Sequence, residues 1–281
     1  MIKPAAGGRR RILVGLDASP ASLAALEAAV GLALELDAEL DALYVEDADM
    51  LRFAGLPFTR IIDAWSSGPR HVEPPDVERA LRRQAERVRS LLADAAGTRV
   101  TWNVRVTRGD VEGEIMAAAR HADLLTLGFV GDRPVGGRGA GSLARRAARE
   151  APGSVLLAQR GQRADGPVVL CLDDSPEGER ALATAASLAR AHDGKLTIVG
   201  YGDPLDEQAQ VLESDVANRL SDLGITSRFT WVPPEAQRAL GAVLSEAQGG
   251  ALVVSATSEL ARSDILDSMI EDGSCSLLLV R

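Results

Sequence analysis

Short apolar runs punctuate the chain at regular intervals, among them Ile12-Leu-Val14, Leu124-Leu-Thr-Leu127 and Val155-Leu-Leu-Ala158. Between them lie longer stretches in which apolar residues recur every three or four positions. Runs that are apolar throughout suit strands buried on both faces, and the longer stretches suit helices packed on those faces, so the pattern predicts β-α-β units feeding a parallel sheet. In the first half, strands are predicted near 11–17, 39–45, 100–106, 123–128 and 154–159. Ser19 followed by Pro20 supplies an N-cap and first-turn pair for the first helix, and Pro75-Asp76 opens a second helix rich in Arg and Glu. The second half repeats the order, with strands near 167–173, 195–201, 226–231, 251–255 and 276–280.

The repetition extends to residue identity. Ile12-Leu-Val-Gly-Leu-Asp-Ala-Ser-Pro20 has a near twin in Val168-Val-Leu-Cys-Leu-Asp-Asp-Ser-Pro176, and the closing strands also correspond. Internal similarity of this length marks a duplicated domain. The segment Arg160-Gly-Gln-Arg-Ala-Asp-Gly-Pro167 reads as the linker, which sets domains at 1–160 and 167–281. The fold expected is α/β: two tandem doubly wound domains, each a five-stranded parallel sheet of order 3-2-1-4-5 flanked by helices. One stretch has no counterpart. Residues 46–75 carry Met50, Leu51, Phe53, Phe58, Ile61, Ile62 and Trp65, and read as a helical flap over the sheet or the partner domain, with a lid or partner-binding surface as the alternative.

Composition narrows the class. With 281 residues, 46% hydrophobic and 25% charged, the chain has enough apolar content for two modest cores and resembles an ordinary globular protein. Its net charge of -9 argues against nucleic acid or an anionic membrane as the main partner. No apolar run reaches the length of a membrane span, and Met1–Arg11 lacks an apolar stretch of signal-peptide length, so the expectation is a cytoplasmic protein. Cys171 and Cys275 have no metal or redox spacing and read as buried free thiols, and His71, His121 and His192 are scattered singly.

The chemistry concentrates after the fourth strand. Gly128-Phe-Val-Gly131, then nine residues, then Gly141-Ser142, falls where a doubly wound sheet takes its ligands, beyond the carboxyl ends of the strands at the reversal of strand order. Glycines let backbone N–H groups approach a phosphate chain, and a helix opening at Gly141-Ser142 favours an anion. Arg133 and Arg138 in the spacer are placed to reach terminal phosphates. Asp17 ends the first strand at the same edge, where it can accept hydrogen bonds from a ribose or a base, or simply cap a helix; Asp110 reads first as a cap. The loop is neither a Walker loop nor a dinucleotide fingerprint.

Leu-Asp-x-Ser-Pro after the first strand, Leu43-Tyr-Val45 in the second, and G-x2-G-x9-G-S after the fourth together resemble the universal stress protein family, in its ATP-binding branch, over nearly the whole chain twice. The resemblance implies that Asp17 contacts the adenosine, that backbone around Gly15 and Val45 flanks the adenine, that Gly128, Gly131, Gly141, Ser142 and Leu143 bind the phosphates, and that Leu127 belongs to the nucleotide site. It implies ATP, or ADP or AMP, as ligand with Mg2+ as companion, and dimers formed through the last strand, here either between the two domains of one chain or between chains. The second half departs from the motif. Ser255 and Ser258 replace the first two glycines, and Ser263 and Asp264 align with Gly141 and Ser142, so one nucleotide per chain is expected, in the first domain. The function expected is a nucleotide-binding stress-response regulator, with a slow ATPase or a nucleotide-free scaffold as alternatives; no general base is evident in the sequence.

Overall fold

The computed structural model describes residues 9–281 except 57–59, 62–69, 72–73, 129–139, 161–165, 174, 192, 202, 204, 233–249, 259–260, 262–265, 267–269 and 271–274. The first half runs β1 (Arg11–Gly15), α1 (Pro20–Leu36), β2 (Glu39–Asp47), α2 (Ala48–Ala54), β3 (Arg60–Ile61), β4 (Arg70–His71), α3 (Pro74–Ala96), β5 (Trp102–Gly109), α4 (Val111–Ala119), β6 (Leu124–Gly128), α5 (Ala140–Glu150) and β7 (Ser154–Ala158). The second half runs β8 (Val168–Leu172), α6 (Pro176–Ala191), β9 (Lys195–Tyr201), α7 (Glu207–Asp222), β10 (Thr226–Val232), β11 (Ala251–Ser255) and β12 (Ser276–Val280). All ten predicted main strands are present, with ends shifted by up to three residues.

Local signals act where expected. Ser19 caps α1, its hydroxyl accepting from the Ser22 N–H at 3.2 Å, and Pro20 opens the helix with its φ already set. In α3 the buried positions Val77, Leu81, Ala85, Val88, Leu92 and Ala96 follow the three-to-four spacing of one helix face, and the Arg and Glu between them stay in water. The insertion contributes α2 and the two-residue pair β3–β4; Phe58, Ile62 and Trp65 lie outside the described residues.

Strand order is where the structure goes past the sequence. Each half has the order third-second-first-fourth-fifth, but the halves share one ten-stranded sheet, β10-β9-β8-β11-β12-β7-β6-β1-β2-β5. The join is antiparallel: Leu157, Leu156 and Val155 of β7 face Leu277, Leu278 and Leu279 of β12. A pseudo-two-fold relates the two sides. The Gln159 N–H donates to Ser276 Oγ at 2.9 Å and the Arg281 N–H donates to Ser154 Oγ at 3.1 Å, the same bond made reciprocally by the two halves. Each last strand, which would otherwise be an open apolar edge, is thereby covered by the other. The apolar layers above and below the sheet each include residues from both halves, Leu156 with Leu278 in one and Leu157 with Leu277 in the other.

Burial follows strand position. β7, β8, β11 and β12 are buried at every residue, while the outermost β5 alternates between half-buried and exposed. No helix among the described residues is long and apolar enough to cross a membrane.

Candidate functional site

The carboxyl ends of β1 and β6 lie side by side in the sheet, and strand order reverses between them. Asp17, just past β1, is exposed; its Oδ1 accepts from the Ser19 N–H at 2.9 Å, and its carbonyl accepts from the Gln84 side chain of α3. The helix-capping role belongs to Ser19, so Asp17 braces the turn that leads into α1. Ala18, between them, holds φ of 60°, a left-handed conformation that this bracing must hold in place.

Gly15 and Gly128 owe their identity to packing. A Cβ on Gly15 would lie 2.9 Å from Leu127 Cδ2, so the space that a side chain would fill is taken by the neighbouring strand. A Cβ on Gly128 would lie 2.7 Å from the Ser22 nitrogen and closer still to the carbonyl carbon and oxygen of Ala21, because the first turn of α1 presses on the end of β6. Gly141 differs: among the described residues, nothing stands within 4 Å of where its Cβ would be. It is the second residue of α5, with Ser142 exposed beside it and Leu143 half-buried against the core. Val45 and Leu127 are buried, 8% and 4% exposed. Gly131, Arg133 and Arg138 lie outside the described residues.

Several neighbours of the site were not singled out from the sequence. Glu112, in the first turn of α4, accepts from the Ser142 hydroxyl at 2.5 Å through Oε1, and its Oε2 lies 3.7 Å from Arg146 Nη1. Asp110 caps α4 by accepting from the Gly113 N–H at 2.7 Å. Glu112 sits in the run Asp110-Val-Glu-Gly-Glu114, where an acid in a helix's first turn is ordinary dipole complement and does not by itself point to Ser142. At the outer end, Glu46 accepts from Arg108 Nε at 2.9 Å and Nη2 at 2.7 Å. Burial, then the charges of Glu46 and Asp17, push the Tyr44 hydroxyl up to about 12.

The second half closes the same edge. The end of β11 matches the end of β6 through the equivalent pairings Val253–Leu170 and Thr126–Val14. There Ser255 Oγ lies 2.9 Å from Thr257 Oγ1, Thr257 Oγ1 lies 3.3 Å from Ser175 Oγ, and Ser175 donates to Asp173. This chain of hydroxyls laces the end of β11 to the start of α6. Ser258 turns inward and donates to the Ser255 carbonyl at 2.8 Å, while Ser263 and Asp264 lie outside the described residues. Among the described residues, no three His, Cys, Asp or Glu side chains gather to hold a metal.

A doubly wound α/β sheet with polar groups clustered at its switch point defines a Rossmann-type protein of the kind that takes small ligands at the strands' carboxyl ends. A sequence profile of the universal stress protein family matches residues 8–159, just over half the chain. The chain belongs to the universal stress protein family. It is similar in fold to a universal stress protein from Archaeoglobus fulgidus DSM 4304, 16% identical with a TM-score of 0.68 over 96% of each chain. A putative universal stress protein from Pseudomonas aeruginosa UCBPP-PA14 is similar at 13% identity, with a TM-score of 0.52, covering 97% of this chain and 93% of its own. A universal stress protein solved in complex with cAMP is 22% identical with a TM-score of 0.38, covering 54% of this chain and 97% of its own. No curated protein matches the sequence at a significant level.

Proposed function

We propose that this chain is an adenine-nucleotide-binding regulator of the stress response, acting in the cytoplasm. Its first half takes one ATP, or the related ADP or AMP, and its second half is a family domain that has lost the site. The observation that carries this reading is the contrast between two equivalent sheet edges. In the first half Gly141 and Ser142 open a helix, and among the described residues nothing stands within 4 Å of where a Gly141 Cβ would be. In the second half the matching edge is laced by Ser175, Thr257 and Ser255. A helix N-terminus receives phosphate through its backbone N–H groups.

In this reading Asp17 meets the ribose, backbone at Gly15 and Val45 flanks the base, and Leu127, Gly128 and Leu143 shape the cleft floor. The loop residues Gly131, Arg133 and Arg138 attend the phosphates. The donors present, a carboxylate and a hydroxyl, suit Mg2+ as an ion carried in by the phosphates and completed by water. Regulation follows if the occupied and empty forms present different surfaces to a partner.

The test is to denature purified protein, identify any released nucleotide by chromatography, and titrate ATP into the parent and Gly141→Val. Because no described residue crowds Gly141, valine there spares that packing while obstructing the backbone. A single adenine nucleotide per chain, lost in the variant, is the expected result. No nucleotide in either protein, and no thermal shift with millimolar MgATP, would overturn the reading in favour of a scaffold.

A further inference from the structure

We infer that Glu112 is a charge gate, a specificity-determining residue that makes polyphosphate binding at the α5 N-terminus conditional on a divalent cation; this rests on the nucleotide reading above. The geometry is specific. Glu112 Oε1 accepts from the Ser142 hydroxyl, so a carboxylate stands within hydrogen-bond distance of the side chain placed to receive phosphate. The Glu112 side chain is about one-third exposed, 33%, so water screens it only in part. Arg146 stands near it, at 3.7 Å, but is more closely engaged by Glu150, at 3.0 Å. Glu150, Glu112 and Asp110 all raise the Arg146 pKa, in that order, so one cation answers several acids. Glu112 thus shares Arg146 with Glu150, so that ion pair offsets its charge only in part.

An unshielded phosphate arriving beside Ser142 meets a like charge and loses affinity. With a divalent cation between them, the same carboxylate becomes a favourable neighbour, since it and the phosphate oxygens both suit a hard ion that keeps several of its waters. The gate also acts on ligand identity: a neutral nucleoside does not reach Ser142 with charge, so its binding is indifferent to Glu112.

The experiment compares ATP in EDTA, ATP with excess Mg2+, and adenosine, by calorimetric titration into the parent, Glu112→Gln and Glu112→Lys. For the parent, metal-free ATP should bind about tenfold or more weakly than MgATP. Glu112→Gln should recover most of that loss, and Glu112→Lys should bind metal-free ATP at least as tightly as MgATP. Adenosine affinity should be the same in all three, which also shows that the variants are folded. Equal cation dependence in parent and variants, with binding intact, would overturn the gate while leaving the nucleotide reading standing. A parent without a cation preference would do the same. Absence of binding by any ligand to any of the proteins would remove the nucleotide reading and the gate with it.

Discussion

Substituting Gly128 by alanine tests whether the tightest approach in the first half is set by packing or by a ligand. The added Cβ would sit 2.7 Å from Ser22 N and nearer to the carbonyl of Ala21, all backbone atoms that no rotamer change can withdraw. Ordinary contact lies at about 3.5–4.0 Å, so the first turn of α1 has to retreat by on the order of 1 Å. That turn anchors a helix whose Ala25, Leu26 and Ala29 are buried at 1% exposure or less, and lifting it opens gaps along the sheet. Overpacking of this kind costs about 3 kcal/mol, the upper end of the usual range, because backbone must yield. At this chain length that corresponds to a midpoint lowered by about 6 °C. The assay is thermal and urea unfolding without nucleotide, with Gly141→Ala as the control, which should be neutral or slightly stabilised. Ala21→Gly should not rescue the loss, since the colliding atoms remain. A Gly128→Ala protein within about 0.5 kcal/mol of the parent would refute the close approach. The expected result carries a warning for binding studies: reduced ATP affinity in a Gly128 variant would report a displaced helix, so Gly141 is the cleaner probe of the proposed site.

Thr126 is fully buried and its Oγ1 has no hydrogen-bond partner among the described residues, while Val253 holds the equivalent place in the second half. Thr126→Val should therefore raise stability by about 1 kcal/mol in urea unfolding, and a loss of that size would show that the hydroxyl is satisfied. Tyr44, pushed up to about 12 by burial and by Glu46 and Asp17, keeps its proton in the fold. Its stabilising contribution is full below the ordinary tyrosine value near 10 and is lost as pH climbs towards 12; ultraviolet titration of the native protein should show the Tyr44 phenol ionising late, and ionisation at the ordinary value would contradict its burial. The Cys171 thiol is pushed up to about 12, by burial first and by Cys275 and Asp173 after it, so alkylation at neutral pH followed by mass spectrometry should label it only on unfolding. Rapid labelling of Cys171 in the native protein would refute this.

Much of the architecture was legible because it depends on local signals. Fully apolar runs marked the strands, Ser19-Pro20 marked the start of α1, and the shared Leu-Asp-x-Ser-Pro marked the repeat. The single sheet was harder to foresee as a fact rather than an option, since antiparallel pairing of β7 and β12 joins strands 122 residues apart, counted from Ser154 to Ser276, and no local pattern encodes a partner. At the site, the capping of α1 and α4 by Ser19 and Asp110 could be read from residue type and position. The bond from Ser142 to Glu112 could not, because it depends on two helix starts meeting across the strand ends.

Comparing the two halves residue by residue separates packing from function. Cross-strand neighbours Gly15 and Leu127 are replaced by Cys171 and Val254, so a small residue gains volume as its neighbour loses it. Tyr44 and Val106 are replaced by Gly200 and Trp231, and a Cβ at Gly200 would lie 2.6 Å from the Trp231 ring. Gly128 and Ser22 become Ser255 and Gly178: in the first half the helix start crowds the end of β6, and in the second it crowds Asp173, so the glycine moves to whichever side is pressed. These three exchanges conserve fit and say nothing about a ligand. Once they are set aside, the loop glycine Gly128 no longer distinguishes a nucleotide site from a well-packed sheet end. What packing among the described residues leaves unexplained is the unfilled space at Gly141 and the carboxylate held against Ser142, and those two features are where a function for the first half has to be sought.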